Sequence, residues 1–259
     1  MPDPILVDRR GFIATVTLNR PEKLNALTKA MWQRLGEAFR ELGRNKELRC
    51  IVLRGAGTKA FSPGNDISEF ESDRSNAAQA KAYGRLMHHT IEAIRNCPIP
   101  TVAMIHGICV GGGMEIAGLC DIRIAGQSSR FGAPIKRLGL VMAYPEIESL
   151  AGLVGPSRAL EILLEGQIFG ADKALAWGVV SRIVPDDQVE TETHATTGRI
   201  ADGAPLVARW HKKFLRRLAE GRPLTEAEFD EGFACFDTED FRIGYKSFLA
   251  KTKPDFVGR

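Results

Sequence analysis

Cysteine is sparse and unpatterned: Cys50, Cys97, Cys109, Cys120 and Cys235 are scattered over 259 residues, and no two form a CxxC pair. Such an odd set excludes a disulfide framework and reads as reduced, buried thiols of a cytoplasmic protein. The histidines, His88, His89, His106, His194 and His211, show no metal spacing, nor does any cluster of His, Cys and carboxylates, so no metal is expected. Net charge is also small, 35 basic against 32 acidic residues for +3, which argues against a nucleic-acid surface and leaves room for a phosphorylated small molecule. No low-complexity tract and no long repeat are present, which excludes disorder, solenoids and propellers. The opening MPDPILVDRR has neither the basic nor the apolar segment of a signal peptide. The one long apolar stretch, Ile99–Cys120, carries Pro100, His106, Glu115 and a run of glycines, so it is expected to lie inside a soluble fold and not in a membrane.

What is present is an alternation of two periods. Short β-branched runs at Gly11–Asn19, Cys50–Gly55, Ile99–Gly107, Asp121–Ala125 and Val179–Val184 are bounded by Gly, Pro, Asn or Asp and predict strands. Between them, helical spacing predicts helices over Lys29–Leu42 with Thr28 as N-cap, Ser75–Arg95, Ser157–Leu164 and Ala171–Trp177. Strands alternating with helices imply an α/β core. After Pro185 the strand signals stop and the chain is charged with helical spacing. The expected organisation is a core over 1–190 and a helical region over 191–259, packed on the core or on a neighbouring subunit. A single continuous domain is equally open.

Three segments carry chemistry. Ile105–Asp121, IHGICVGGGMEIAGLCD, runs from a strand through Gly111, Gly112 and Gly113 into an apolar helix. Glycines there let a ligand approach bare backbone, and the free N–H groups of a helix start favour negative charge. GxGxxG fails at Ile116 and no GK[ST] follows, so neither a dinucleotide fingerprint nor a phosphate loop is present. Taken alone, a GGG turn is as readily a tight helix–sheet contact. Phe61–Phe70, FSPGNDISEF, is a Pro-Gly-Asn turn in which Asp66 can cap a helix beginning near Ile67. Asn19–Thr28, NRPEKLNALT, reads by itself as a surface turn.

In order and spacing these segments resemble the enoyl-CoA hydratase/isomerase (crotonase) family. NRPEKLNALT is similar to its NRPxxxNAL motif, FSPGNDISEF to its FxxGADI block, and IPTVAMIHGICVGGGMEIAGLCDIRIA to its PxxAxxGxxxGGGxELAxxCDxxxA signature. RFGAP with LGL, and FLAKTKPDF near the end, resemble two further family blocks, so the likeness spans nearly the whole chain. The resemblance implies an α/β spiral of repeated strand–strand–helix units with a helical C-terminal trimerisation region, assembled as a trimer or a dimer of trimers. It implies an acyl-CoA substrate and no cofactor beyond that coenzyme A. The backbone N–H groups of Asn65 and Gly112 would form an oxyanion hole, with Asn65 standing where the family usually has Ala. Lys23, Leu24, Ala26, Ser62, Gly64, Asp66 and Ile67 would line the coenzyme A path, with Gly111, Ile135 and Leu140 also among the substrate-binding residues. Phe248 and Lys251 would reach the adenine and 3′-phosphate, from the same or a neighbouring subunit.

Hydration by this family resembles two-carboxylate chemistry. The first carboxylate is present as Glu115, although a helix-start carboxylate held by the dipole is its plainer reading. At the second position stands Ile135, and Ala143 occupies the place of an alternative Asp in some relatives. Tyr144 and Glu146 are the nearest substitutes; Glu146 is expected in a loop, as a solvated surface acid. Hydration and double-bond isomerisation therefore both remain open, with decarboxylation, thioester hydrolysis and a catalytically silent acyl-CoA binder as alternatives.

Overall fold

In the computed structural model, which describes Asp3–Arg259, the β-branched runs pair into two sheets. The first has six strands: β1 (Ile5–Arg10), β2 (Ile13–Leu18), β3 (Cys50–Gly55), β5 (Thr101–Ile105), β7 (Ile122–Gly126) and β10 (Arg182–Val184), in the order β1-β2-β3-β5-β7-β10. Only the β1–β2 pair is antiparallel; every other neighbour in this sheet is parallel. Strands β3 and β5 are buried along nearly their whole length, as parallel strands covered on both faces must be. Strand β2 instead alternates, with Ala14, Val16 and Leu18 turned into the core.

The second sheet is made of short strands that the sequence pattern does not announce: β4 (Ala60–Ser62), β6 (Ile108–Val110), β8 (Arg130–Gly132) and β9 (Phe169–Gly170), in that order. Each pass of the chain leaves one strand in each sheet, β3 then β4, β5 then β6, β7 then β8, which is the expected spiral of strand–strand–helix units. Gly107 makes the corner between β5 and β6. Its φ is +59°, and a Cβ there would lie 2.0 Å from the Lys59 carbonyl oxygen, so no other residue fits.

Helix α1 (Lys29–Gly43) is capped by Thr28, whose Oγ1 accepts the Met31 N–H at 3.2 Å. Its buried face, Met31, Trp32, Leu35, Ala38 and Phe39, packs on α3 (Ala77–Arg95). Helix α3 starts two residues later than its periodicity suggests, because Asn76 is the cap and accepts the Gln79 N–H. A one-turn α2 (Phe70–Asp73) precedes it. The site helix α4 (Gly112–Gly118) is followed by α5 (Tyr144–Val154), α6 (Pro156–Glu165) and α7 (Ala171–Ala176).

After β10 the described chain is helical: α8 (Val189–Ala201), α9 (Pro205–Ala219), α10 (Glu226–Glu231) and α11 (Glu239–Ala250). Position 190 falls inside α8, which packs against β3, β5 and β7. One face of α9 is tied to the core. Lys212 Nζ donates to the Ile99 carbonyl at 2.8 Å and pairs with Asp121, and Arg209 reaches the Lys46 and Leu48 carbonyls. The opposite side of α9 leaves Leu215 and Leu218 exposed, and Phe229 on α10 and Phe233 and Phe236 after it are exposed too. No helix among the described residues is long and apolar enough to cross a membrane.

Candidate active site

Two loops and one helix start build the site. Leu27 and Asn65 form an isolated parallel bridge: the Leu27 N–H donates to the Gly64 carbonyl at 2.8 Å, and the Asp66 N–H donates to the Leu27 carbonyl at 2.9 Å. In such a bridge the groups flanking Asn65 are used while its own N–H turns to the other side. What lies there is the start of α4. Gly112 is its first residue, and a helix has no acceptor of its own for that N–H. A Cβ built on Gly64 would stand 2.7 Å from Gly112 N, and one on Gly112 would stand 3.8 Å from Asn65 N. The two nitrogens therefore share one small patch of bare backbone, and the glycines are what keep it bare.

This patch is a wall of a cavity of about 270 Å³, lined also by Gly111, Ile67, Phe70, Pro134, Ile135, Leu138 and Leu140. Its remaining lining is mostly apolar and includes no carboxylate. Asn65 does not fill it with its amide. Oδ1 accepts the Trp32 indole N–H at 2.6 Å and Nδ2 faces Met87 Sδ, so the side chain is drawn toward α1 and α3. The amide therefore does not narrow the cavity, because it is held by a hydrogen bond to a fully buried tryptophan.

The NRPEKLNALT loop is not the surface turn its local sequence suggests. Asn25 is buried, and its amide donates to the Ala56 and Ala60 carbonyls while accepting the Arg20 N–H. Leu24 and Asn25 both hold left-handed φ values of 54° and 64°. Arg20 pairs with Asp66 at 2.5 Å and also donates to the Ala26 carbonyl. That guanidinium, followed by bonds from Ser68, holds the Asp66 carboxyl down at about 2. Lys23, Leu24 and Ala26 lie on this loop outside the cavity wall, with Lys23 exposed. Ser62 is fully buried beneath it, donating to the Asn25 carbonyl and accepting the Gly64 N–H, so it braces the turn. Phe248 and Lys251, at the end of α11, are exposed and do not line the cavity.

One turn along α4 from Gly112 sits Glu115, on the same helix face and buried. Burial first, then the charge of Glu146, push its carboxyl up from the usual range to about 8, against the opposing pull of Arg95 and Arg74. Glu146 is not a solvated loop acid. Pro145 opens α5, Glu146 lies in its first turn, and packing against α4 leaves it 7% exposed. Both glutamates line one small cavity with Met114, Met142 and Leu150, and each keeps one buried carboxylate oxygen without a partner, Oε1 of Glu115 and Oε2 of Glu146. The other oxygen of Glu146 is 3.3 Å from His88 Nε2 on α3. Tyr144, by contrast, is 89% exposed. No sequence spacing links Glu115, Glu146 and His88; three separate helices bring them together.

The family profile "Enoyl-CoA hydratase/isomerase" matches residues 8–259. The chain is 31% identical over 251 residues to the short-chain-enoyl-CoA hydratase of Clostridium acetobutylicum, covering 96% of this chain and 95% of that one. It is 32% identical to the methylmalonyl-CoA decarboxylase of Escherichia coli over 95% of both chains. Among solved structures, an enoyl-CoA hydratase/carnithine racemase from Magnetospirillum magneticum superposes with a TM-score of 0.98 at 49% identity, covering 100% of this chain and 97% of that one.

Proposed function

The chain belongs to the enoyl-CoA hydratase/isomerase family, and from that premise we propose that it adds water across the double bond of a trans-2-enoyl-CoA. The observation that carries this reading is the pairing of two free backbone N–H groups, at Asn65 and Gly112, with a protonatable carboxyl one helical turn away at Glu115. The thioester carbonyl oxygen sits between the two nitrogens. Its polarisation opens the β-carbon to addition and stabilises the enolate that follows, with each donor worth about 2.7–4 kcal/mol in such sites. Glu115 moves the proton at the α-carbon. Ile67, Phe70, Ile135 and Leu140 give the acyl chain apolar walls.

Isomerisation of the double bond is the second reading. It is favoured by Ile135, because the cavity beside the two N–H groups holds no carboxylate and a single base suffices for a proton shift. One experiment separates the readings. A trans-2-enoyl-CoA and a 3-enoyl-CoA are incubated with the protein and the products identified by mass; hydration yields a 3-hydroxyacyl-CoA from the first. Glu115→Gln should lower the rate roughly 10²–10⁴-fold. Unchanged turnover in that variant removes Glu115 as the proton carrier, and bound thioester with no product in the unaltered protein leaves a silent acyl-CoA binder.

We also propose that the exposed apolar side chains of the C-terminal helices, Phe229, Phe233 and Phe236 among them, are covered by other copies in a trimer or a dimer of trimers. Such an assembly is also what would carry Phe248 and Lys251 to a neighbour's coenzyme A. Sedimentation equilibrium reads this directly, and a monomer at micromolar concentration refutes it.

A further inference from the structure

We propose that Glu146, held by His88, is the second proton-carrying group of this site, a role that Ile135 cannot fill. The inference rests on the hydration reading above. Two buried carboxyls with one unpartnered oxygen each, facing one small cavity, form a costly arrangement for a protein that uses neither. The cavity measures about 10 Å³, close to the space of one water, and its polar lining is Glu115, Glu146 and Ser149. Ser149 is already engaged, donating to the Pro145 carbonyl and accepting from Arg95. The orphaned oxygens of the two glutamates are therefore the groups free to grip a water.

Their surroundings divide the roles. Glu115 has no hydrogen-bond partner at Oε1, is buried, and is pushed up to about 8, so at neutral pH it holds a proton. Glu146 has His88 Nε2 3.3 Å from its Oε1, which fixes the orientation of that carboxyl and leaves Oε2 turned to the cavity. The charged groups facing the pair from the packed elements are Arg74 and Arg95, and the titratable one is His88 on Glu146. Glu115 is thus the acid, which leaves Glu146 as the carboxyl that takes the proton of the water. The water gives one proton to Glu146 while its oxygen bonds to the β-carbon; the π electrons move onto the thioester oxygen between Asn65 N and Gly112 N. The enolate then collapses and its α-carbon takes the proton from Glu115. One water is consumed, the pair still holds one proton, now on Glu146, and the shared cavity returns it to Glu115. His88 touches neither substrate nor water in this scheme and is a positioning residue.

Steady-state hydration of a trans-2-enoyl-CoA tests this in five proteins. Glu146→Gln should lower kcat roughly 10²-fold or more with KM little changed, since proton transfer is lost and thioester binding is not. Adding Ile135→Glu to Glu146→Gln should restore part of that loss by returning a carboxylate to the acyl cavity, which a purely structural role for Glu146 would not permit. Ile135→Glu alone should gain little, because the position is already covered. His88→Gln should lower kcat, by less than Glu146→Gln does, because it displaces the carboxyl without removing it; it is also the variant that decides the matter if Glu146→Gln does not fold. Wild-type kcat in Glu146→Gln, or in His88→Gln when the former is unfolded, overturns the proposal while hydration stands. A protein that hydrates no enoyl-CoA overturns both readings together.

Discussion

The wall that offers the Asn65 and Gly112 N–H groups is made of backbone, while the wall that holds protons is made of side chains, and the two answer differently to sequence change. On the first wall the identity of residue 65 is secondary: an Asn stands there with its amide tied to Trp32, and its N–H is presented all the same. What that wall cannot lose is the emptiness around it, supplied by Gly64 and Gly112. On the second wall identity is everything, yet position is negotiable. Ile135 puts no carboxylate in the acyl cavity, and the proposed second carboxylate comes from α5, where Glu146 lines a separate small cavity with Glu115. Helix α4 joins the two walls, giving Gly112 to one and Glu115 to the other.

The most severe test of this division is Gly64→Ala. The φ of Gly64 is +95°, which disfavours any side chain, and the new Cβ would sit 2.7 Å from Gly112 N. It would both strain the turn and stand over one of the two donors. Loss of one donor predicts a fall in kcat of roughly 10²–10³-fold. The measurement is hydration rate beside a urea titration, so that the catalytic loss is read from folded protein. Retention of full activity would mean that the N–H patch is not where the thioester oxygen sits.

On the other wall the corresponding test is pH. The Glu115 carboxyl titrates near 4.5 when unfolded and about 8 when folded. Between those values the folded chain holds a proton that the unfolded chain has released, so stability contributed by this group is full below about 4.5 and is lost as pH rises to about 8. The slope is at most about 1.4 kcal/mol per pH unit. Glu115→Gln cannot ionise, so its Tm should fall less than that of the unaltered protein between pH 5 and pH 8.5. Glu146→Gln should also flatten the curve, to a smaller degree, because the Glu146 charge is the second cause of the shift. Identical pH profiles for the Glu115→Gln variant and its parent would show that Glu115 is hydrated and ionised in the fold.

The two walls also differ in how far they could be read before folding. The backbone wall was legible: consecutive glycines after a strand, and a Pro-Gly-Asn turn with its Asp66 cap, are local signals, and the structure places both turns against each other. Strands such as Cys50–Gly55 were legible for the same reason, since burial on both faces demands an uninterrupted apolar run. The short strands β4, β6, β8 and β9 were not, because two or three residues carry no period and their pairing is decided by partners more than twenty positions away. The same limit hid the buried surroundings of Glu146. Nothing near Glu146 distinguishes it from a surface residue; its burial is imposed by α4 and α3, and His88 lies 58 positions earlier. Asn25 was hidden in a different way: a polar residue in a polar loop gives no sign that it will be buried with its amide on two backbone carbonyls.

The mildest test, Asn65→Ala, addresses the division itself. Removing the amide deprives the buried Trp32 indole N–H of its 2.6 Å acceptor, which should cost about 1–3 kcal/mol of stability. The backbone N–H at position 65 is untouched, because the Leu27 bridge that orients it is made by Gly64 and Asp66. Stability and catalysis should therefore separate: a lower urea midpoint, with kcat on a short enoyl-CoA unchanged within a few-fold of the parent. Because the amide already points toward α1 and α3, the emptied space should also admit little extra acyl chain, and chain-length preference should hold. A kcat loss as large as that of Gly64→Ala would make the side chain the working part of residue 65, and the distinction between a wall of backbone and a wall of side chains would fail at its first member.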